Sequence, residues 1–478
     1  MSANSLRIGS RRVSADITSL LARWVAHAPR IRRGRVLDLA KNAIKDVVAC
    51  MIAGAHDQAA MRVARAARRW GAGPCSVLGQ AAKLSAPAAA LVNGTAAHAL
   101  DYDDNFHPMA GHATAVLAPA IFAVAEARGA SGHAVLDAYV VGLEVQARIG
   151  EGVNLVHYER GWHSTSTIGT FGAAAACARL YGLDEAGVVA ALSLAFSMAG
   201  GSKLQFGTMA KPMHAGLAAL HGVMAAELAA AGVKAVAEPL DGPWGFRELF
   251  AGDASPGFSE RPVRAALAIE RYGLKAKIHP CCASAHCALD ALLALRAEHG
   301  FPAAEVERVE VLVNRMSYDN LMYPSPRTEL EARFSMHWCI AVALLQGRLG
   351  LADFSPEALR RREIRAWLPR IAMQHTAPGH EHPLMDNGRE PASVSVLLKD
   401  GRRLERYAQH AKGTLQAPAT AVELEAKFAD CAGNRPALRA MLERFEKLPD
   451  LRGFMRALST SARPRPPSAS RAARGRRQ

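Results

Sequence analysis

Aromatic residues make up only 6% of the 478-residue chain, and it holds just eight cysteines. The scarcity of rings beside abundant Ala and Gly points away from a core of large side chains and toward helices packed closely on small ones. Eight irregularly spaced cysteines are too few for a disulfide scaffold and fit a reducing compartment. Acidic residues are nearly missing from both ends: residues 1–35 hold eight Arg and one Asp, and residues 461–478 hold six Arg and no acid. The net charge of +15 therefore divides into +7, +6 and only +2 for residues 36–460. A near-neutral body with basic ends is not a nucleic-acid-binding surface. Long apolar runs are missing too. The longest stretch without Asp, Glu, Lys or Arg is the 21 residues from Asn105 to Ala125, and it includes two His and two Pro. That falls short of a spanning helix, and the start, MSANSLRIGSRRVS, has no apolar leader core. The expectation is a soluble, cytoplasmic protein that meets neither membrane nor nucleic acid.

What is present is mostly helical pattern. From Val36 to Glu270 apolar residues recur at helical spacing, as in Leu117, Ile121, Val124 and Ala125. Gly71–Pro74, Gly129–Gly132 and Gly182 read as stops, each followed by a new helical run. Near residue 271 the character changes. Val309, Val311 and Val313 alternate as in a half-buried strand, as do Val394, Val396 and Leu398, and Asp400-Gly401 signals a hairpin turn. A helix is expected over Glu329–Gln346, and helical pattern resumes from Thr420 to Leu458. The expected class is mainly α: a large all-helical domain with a smaller inserted α+β (lid) domain. The expected boundaries are a basic N-terminal segment 1–35, helical parts 36–270 and 415–460, the lid 271–414, and a disordered basic tail 461–478.

Four polar clusters interrupt the Ala-rich helices. The first, His98-Ala-Leu-Asp101-Tyr-Asp103-Asp104-Asn-Phe-His107 with His112, crowds carboxylates and imidazoles between small or apolar flanks. Buried charges must pair or shift in pKa, which is how acid–base groups arise; the plainer reading is a capped loop after a helix. Asp101, Asp103 and Asn105 sit at EF-hand positions, but Phe106 and His112 replace the required Gly and Glu, so calcium fails. A magnesium-dependent helical enzyme would need a second acidic cluster, and none is apparent. In the second cluster, Gly161-Trp-His163-Ser164-Thr165-Ser-Thr, a His precedes a helix start suited to an anion. In the third, Lys211-Pro212-Met-His214, a cation opens a helix, which the dipole disfavours unless an anion is near. The fourth, Lys277-Ile-His279-Pro-Cys281-Cys282-Ala-Ser-Ala-His286-Cys287, falls at the expected domain junction. Its cysteines read as buried thiols, and His380-Glu-His382 as a surface pair. There is no GxGxxG after a strand, no GxxxxGK[ST], no HExxH and no GxSxG, so nucleotide chemistry and zinc hydrolysis have no support.

The segments NGTAAHALDYDD, GWHSTSTIGTFGAAAA, GTMAKPMHAG, KIHPCCASAHCALDA and EARFSMHWCIAVALLQG, in this order, make the chain resemble the MmgE/PrpD family over about residues 35–460. The resemblance implies a homodimer with a cleft between helical and lid domains. It also implies cofactor-free chemistry on small polycarboxylates, by branches acting on 2-methylcitrate, cis-aconitate and iminodisuccinate. It places the site at Asp101, His112, His163, Lys211 and His286, with no metal. Lys211, Ser164 and Thr165 would bind carboxylate, the three His would move protons, and Asp101 would orient an imidazole. DYDDNFHPMAGH looks closer to the decarboxylase and epimerase branches than to the dehydratases. The expectation is a lyase, dehydratase or decarboxylase, of a small di- or tricarboxylate; the alternatives are an epimerase on the same fold and a non-catalytic ligand-binding homologue.

Overall fold

A computed structural model describes residues 16–31, 34–259, 263, 266–376 and 390–461. The basic tail and the His380-Glu-His382 pair lie outside the described residues. The protein is mainly α. Its centre is built from helices that are buried all round. Residues 164–178 of the Ser164–Tyr181 helix are buried throughout, as are residues 114–126 of the Thr114–Arg128 helix and nearly all of Ala86–His98. Such helices carry no amphipathic stripe, and only small side chains let several of them share one interior. Outer helices keep a stripe. In Ile17–His27 the buried residues are Ile17, Thr18, Leu21, Ala22 and Val25, and Asp16 caps the start by accepting from the Thr18 and Ser19 N–H groups.

Two apolar cores form. The larger joins residues between Ile17 and Ile269 with Phe428, Leu438, Phe445, Phe454 and Leu458 near the C-terminus. The second lies between Cys281 and Ala411 and takes in Phe206 from the helical part. The second core is covered by a four-stranded sheet of order β4-β3-β5-β6, where β3 is Val306–Val313, β4 Ile371–His375, β5 Ala392–Leu398 and β6 Arg403–Ala408. β3 runs parallel to β4 and antiparallel to β5, with Val309, Val311 and Val313 opposite Val396, Val394 and Ala392. The Asp400-Gly401 turn joins β5 to β6 with Gly401 at φ 91°, as the pattern anticipates.

Three expectations fail. Gly71–Pro74 leads into a strand, β1 (Ala72–Ser76), paired with β2 (Lys83–Leu84), and not into another helix. Between Gly232 and Leu267 the described chain is mostly irregular, with one short helix at Phe246–Phe250. The helix expected over Glu329–Gln346 is broken at Arg333–Ser335: Ser335 adopts extended backbone and accepts from the Trp338 N–H, which starts a new helix at Met336. That break frees Arg333 to point elsewhere.

Candidate active site

The helix Ala86–His98 stops at the first polar cluster, and Asp101 takes up a left-handed conformation, φ 49°. A non-Gly residue holds such a conformation only where its surroundings over-determine it. Here they do. Asp101 pairs with Lys211 from the first turn of the Ala210–Ala230 helix. Lys277 Nζ lies 2.8 Å from Asp101 Oδ2 and 2.9 Å from its backbone carbonyl. The anion that a lysine at a helix start calls for is thus, in the first place, the protein's own Asp101.

Asp103 faces the imidazoles. His98 Nδ1 lies 2.9 and 3.1 Å from its two oxygens. His112 Nδ1 lies 3.0 Å from Oδ2, an ion-pair distance without the alignment of a hydrogen bond, and His112 Nε2 is 3.7 Å from Asp101. The His98 ring sits 4.1 Å from that of His112 and 6.1 Å from that of His163, and His163 Nδ1 is 3.0 Å from His214 Nδ1. Lys211 Nζ lies 5.6 and 5.0 Å from the ring centres of Phe206 and Phe334. Arg333 completes the surround, donating to the carbonyls of Leu100 at 2.9 Å and Pro280 at 2.6 Å. Asp101, Asp103, His98, His112, His163, His214, Lys211, Lys277 and Arg333 are all buried.

The electrostatics follow from that burial. Desolvation pushes the Asp101 carboxyl up, but Lys211 and Lys277 outweigh it and hold the group well below the usual carboxylate range. Asp103 is likewise brought well below, by His98 and His112 against burial. Burial lowers His98 and His163, takes His112 down to about 3 and His214 to about 4, so the imidazoles are neutral. Lys211 is lowered by burial despite Asp101, whereas Asp101 and Asp103 raise Lys277 against the same effect. Asp101 and Asp103 therefore face the ammonium groups of Lys211 and Lys277, while the Arg333 guanidinium is shared between Asp101 and the carboxylates of Asp57 and Glu329. His98, Asp103 and His112 place three donor atoms within 4.8 Å of one another, a spacing that a metal accepts. The charge of Lys211, which lowers both imidazoles, makes an anion the better-matched guest.

Of the residues expected from sequence, Asp101, His112 and Lys211 meet in this cluster, and His163 joins through His98 and His214. Ser164 Oγ lies 3.2 Å from buried His157 Nδ1, and Thr165 Oγ1 accepts the His112 backbone N–H at 3.0 Å. His286 packs against His279, ring centres 5.2 Å apart, with Nε2 3.3 Å from the Cys281 carbonyl; its link to the cluster is the charge of Lys277. Asp103, His98, His214 and Lys277 stood inside the sequence clusters without being chosen, and Arg333 stood outside them in the segment EARFSMHW. The available signal was alternation: Asp101 and Asp103, two apart in a loop, turn to different partners. A cavity of about 370 Å³ is lined by Asn105 and Lys275, whose backbones bridge, and by Tyr158, Cys287, Asn320 and Glu390 among others.

A family model described as the MmgE/PrpD N-terminal domain matches residues 19–259, and one described as the MmgE/PrpD C-terminal domain matches residues 279–447. The chain is 30% identical to a cis-aconitate decarboxylase of Mus musculus, over 76% of each chain. It is 31% identical to that of Homo sapiens over 71% of each. A cis-aconitate decarboxylase-like protein of Aspergillus oryzae is 27% identical over 88% of this chain and 91% of its own.

Proposed function

This chain belongs to the MmgE/PrpD family, and from that premise we propose that it is a cofactor-independent carboxy-lyase of a small polycarboxylate of the cis-aconitate type. The observation that carries the reading is the buried cluster in which Lys211, Lys277 and Arg333 gather around Asp101 and Asp103 beside neutral imidazoles. Loss of CO2 leaves an electron pair on carbon, which must be delocalised and then take up one proton. Cations hold the remaining carboxylates, and a buried, water-poor site strengthens each such contact. Lys211, Lys277 and Arg333 fill that role. His98 Nε2 is buried without a hydrogen-bond partner, which suits it to exchange a proton with a bound ligand. The His163–His214 contact extends the path, and Asp103 fixes the ring orientation of His98. The working assembly is a homodimer.

The test is incubation of the purified protein in deuterated buffer with cis-aconitate, citrate, 2-methylcitrate and iminodisuccinate, followed by proton NMR. The expected result is a five-carbon dicarboxylate from cis-aconitate, carrying one solvent deuteron on carbon for each CO2 lost. Elimination of water, or exchange without CO2, would move the protein to the dehydratase or epimerase branch. Absence of both turnover and binding across the panel would overturn the reading.

A further inference from the structure

Behind the loop that carries Asp101 and Asp103 lies a second buried ion pair with no place in the chemistry above. Lys427, on the Ala421–Ala432 helix near the C-terminus, has only 2% of its side chain exposed. Its Nζ lies 2.7 and 2.8 Å from the two oxygens of Asp46, on the Arg35–Gly54 helix. The same ammonium stands 4.6 Å from the centre of the Tyr102 ring. Tyr102 is the residue between Asp101 and Asp103, and it is 4% exposed. Its hydroxyl donates to the carbonyl of Ile278 at 3.1 Å, next to Lys277, which grips Asp101.

A buried ion pair gives back little net stability for the desolvation it costs, so stability alone is a weak reason to find one here. A cation against the face of a buried ring is a directed contact. Tyr102 is held at both ends, its ring by Lys427 and its hydroxyl by Ile278, on the segment whose left-handed turn aims the two carboxylates apart. Without the ring contact, the segment keeps the lysine partners of Asp101 and the Tyr102 hydroxyl bond to Ile278, but the ring between the two carboxylates loses its hold.

We infer that Lys427 is a positioning residue for the candidate active site: held by Asp46, its ammonium pins the Tyr102 ring and so fixes the directions of Asp101 and Asp103. The kinetic part rests on the proposed lyase reading; the pinning does not. This gives the C-terminal return of the chain a part in the site, since the cation comes from a helix that follows the whole α+β unit.

The test uses the full chain with Lys427→Met, Lys427→Arg and the double variant Asp46→Asn/Lys427→Met. Hydrogen exchange read by mass spectrometry should show faster exchange over residues 98–107 in Lys427→Met, largely restored in Lys427→Arg, which keeps charge and ring contact. The double variant removes the stranded Asp46 charge and should recover thermal stability but not loop protection. On a turned-over substrate, kcat should fall about 100-fold in both Met variants with KM within about threefold, the scale expected when a reacting group moves by an ångström. Wild-type loop protection in the double variant would overturn the inference, because the pair would then be structural only. A wild-type protein inert toward every acid tested would remove the lyase reading and leave the exchange result to decide the pinning.

Discussion

Asp104 stands beside Asp103 with a different fate. No cation pairs with it among the described residues; it accepts from Thr114 Oγ1 and, at 3.2 Å, from the Thr114 N–H. Burial pushes its carboxyl up from an ordinary 3.8 to about 7. Between those pH values the folded chain keeps a proton that the unfolded chain gives up, so stability falls as pH rises from about 4 to about 7. His112 and His214 act oppositely. Their pKa values, lowered by burial to about 3 and about 4, keep them neutral in the fold, so stability falls as pH drops below the ordinary 6.5. Asp104→Asn should therefore raise the melting temperature at pH 8 and change it little at pH 4; an equal shift at both would assign the effect to packing. At this scale the residue types were legible in sequence and their partners were not. Asp101 and Asp103 look alike in DYDD, and only the folded loop gives one the lysines and the other the imidazoles. The same division bears on metal: the His98–Asp103–His112 set sits beside ammonium groups, so dialysis against EDTA should leave turnover unchanged, and a loss restored by a divalent cation would reverse that assignment.

Helices that touch through glycine set the spacing of the cluster. Gly94 lies four residues before His98, and Gly216 five after Lys211. A Cβ on Gly216 would stand 2.2 Å from the Leu91 carbonyl oxygen and 2.6 Å from Thr95 Oγ1; one on Gly94 would stand 2.8 Å from the Gly216 Cα. The obstruction is mostly backbone, so Gly216→Ala has to spread the Ala86–His98 and Ala210–Ala230 helices. We expect it to cost about 1–3 kcal/mol in denaturant unfolding, the usual range for overpacking, and to lower kcat by widening the His98–Lys211 gap. Gly453→Ala, in a helix with nothing within 4 Å, should be neutral or gain about 0.5–1 kcal/mol. Equal effects of the two would show that spacing is not what Gly216 provides. Small-residue helices were legible from composition, since only they allow such approach. The break at Arg333–Ser335 was not, because Ser335 competes for the Trp338 N–H through a side-chain bond that apolar periodicity does not register. β1 was missed because its AGPCS segment has no alternating apolar pattern.

Across the whole molecule the site depends on segments far apart in sequence. Asp101 and His112 come from the helical part, Lys277 from the region where the chain passes into the α+β unit, and Arg333 from within that unit, between β3 and β4. Arg333 makes the crossing concrete by donating at once to Leu100 and to Pro280. The change of character near residue 271 was readable, and so was the return of helical pattern after Thr420, because each is a change of period. The partners of each residue in KIHPCCASAH were not, since Lys277 and His286 both follow that change and only the fold gives what each touches. Lys277 reaches Asp101; His286 turns to His279 and the Cys281 carbonyl. If Lys277 both fixes Asp101 and offers positive charge to a carboxylate, Lys277→Met removes two functions at once. Turnover should then be abolished and polycarboxylate affinity, measured by calorimetry, should fall at least about tenfold, the equivalent of about 1.4 kcal/mol. His286→Ala should keep that affinity and lower kcat by less than Lys277→Met does. The reverse order, with His286 indispensable and Lys277 replaceable, would move the chemistry out of the lysine–imidazole cluster and toward the cavity lined by Lys275, Cys287 and Glu390.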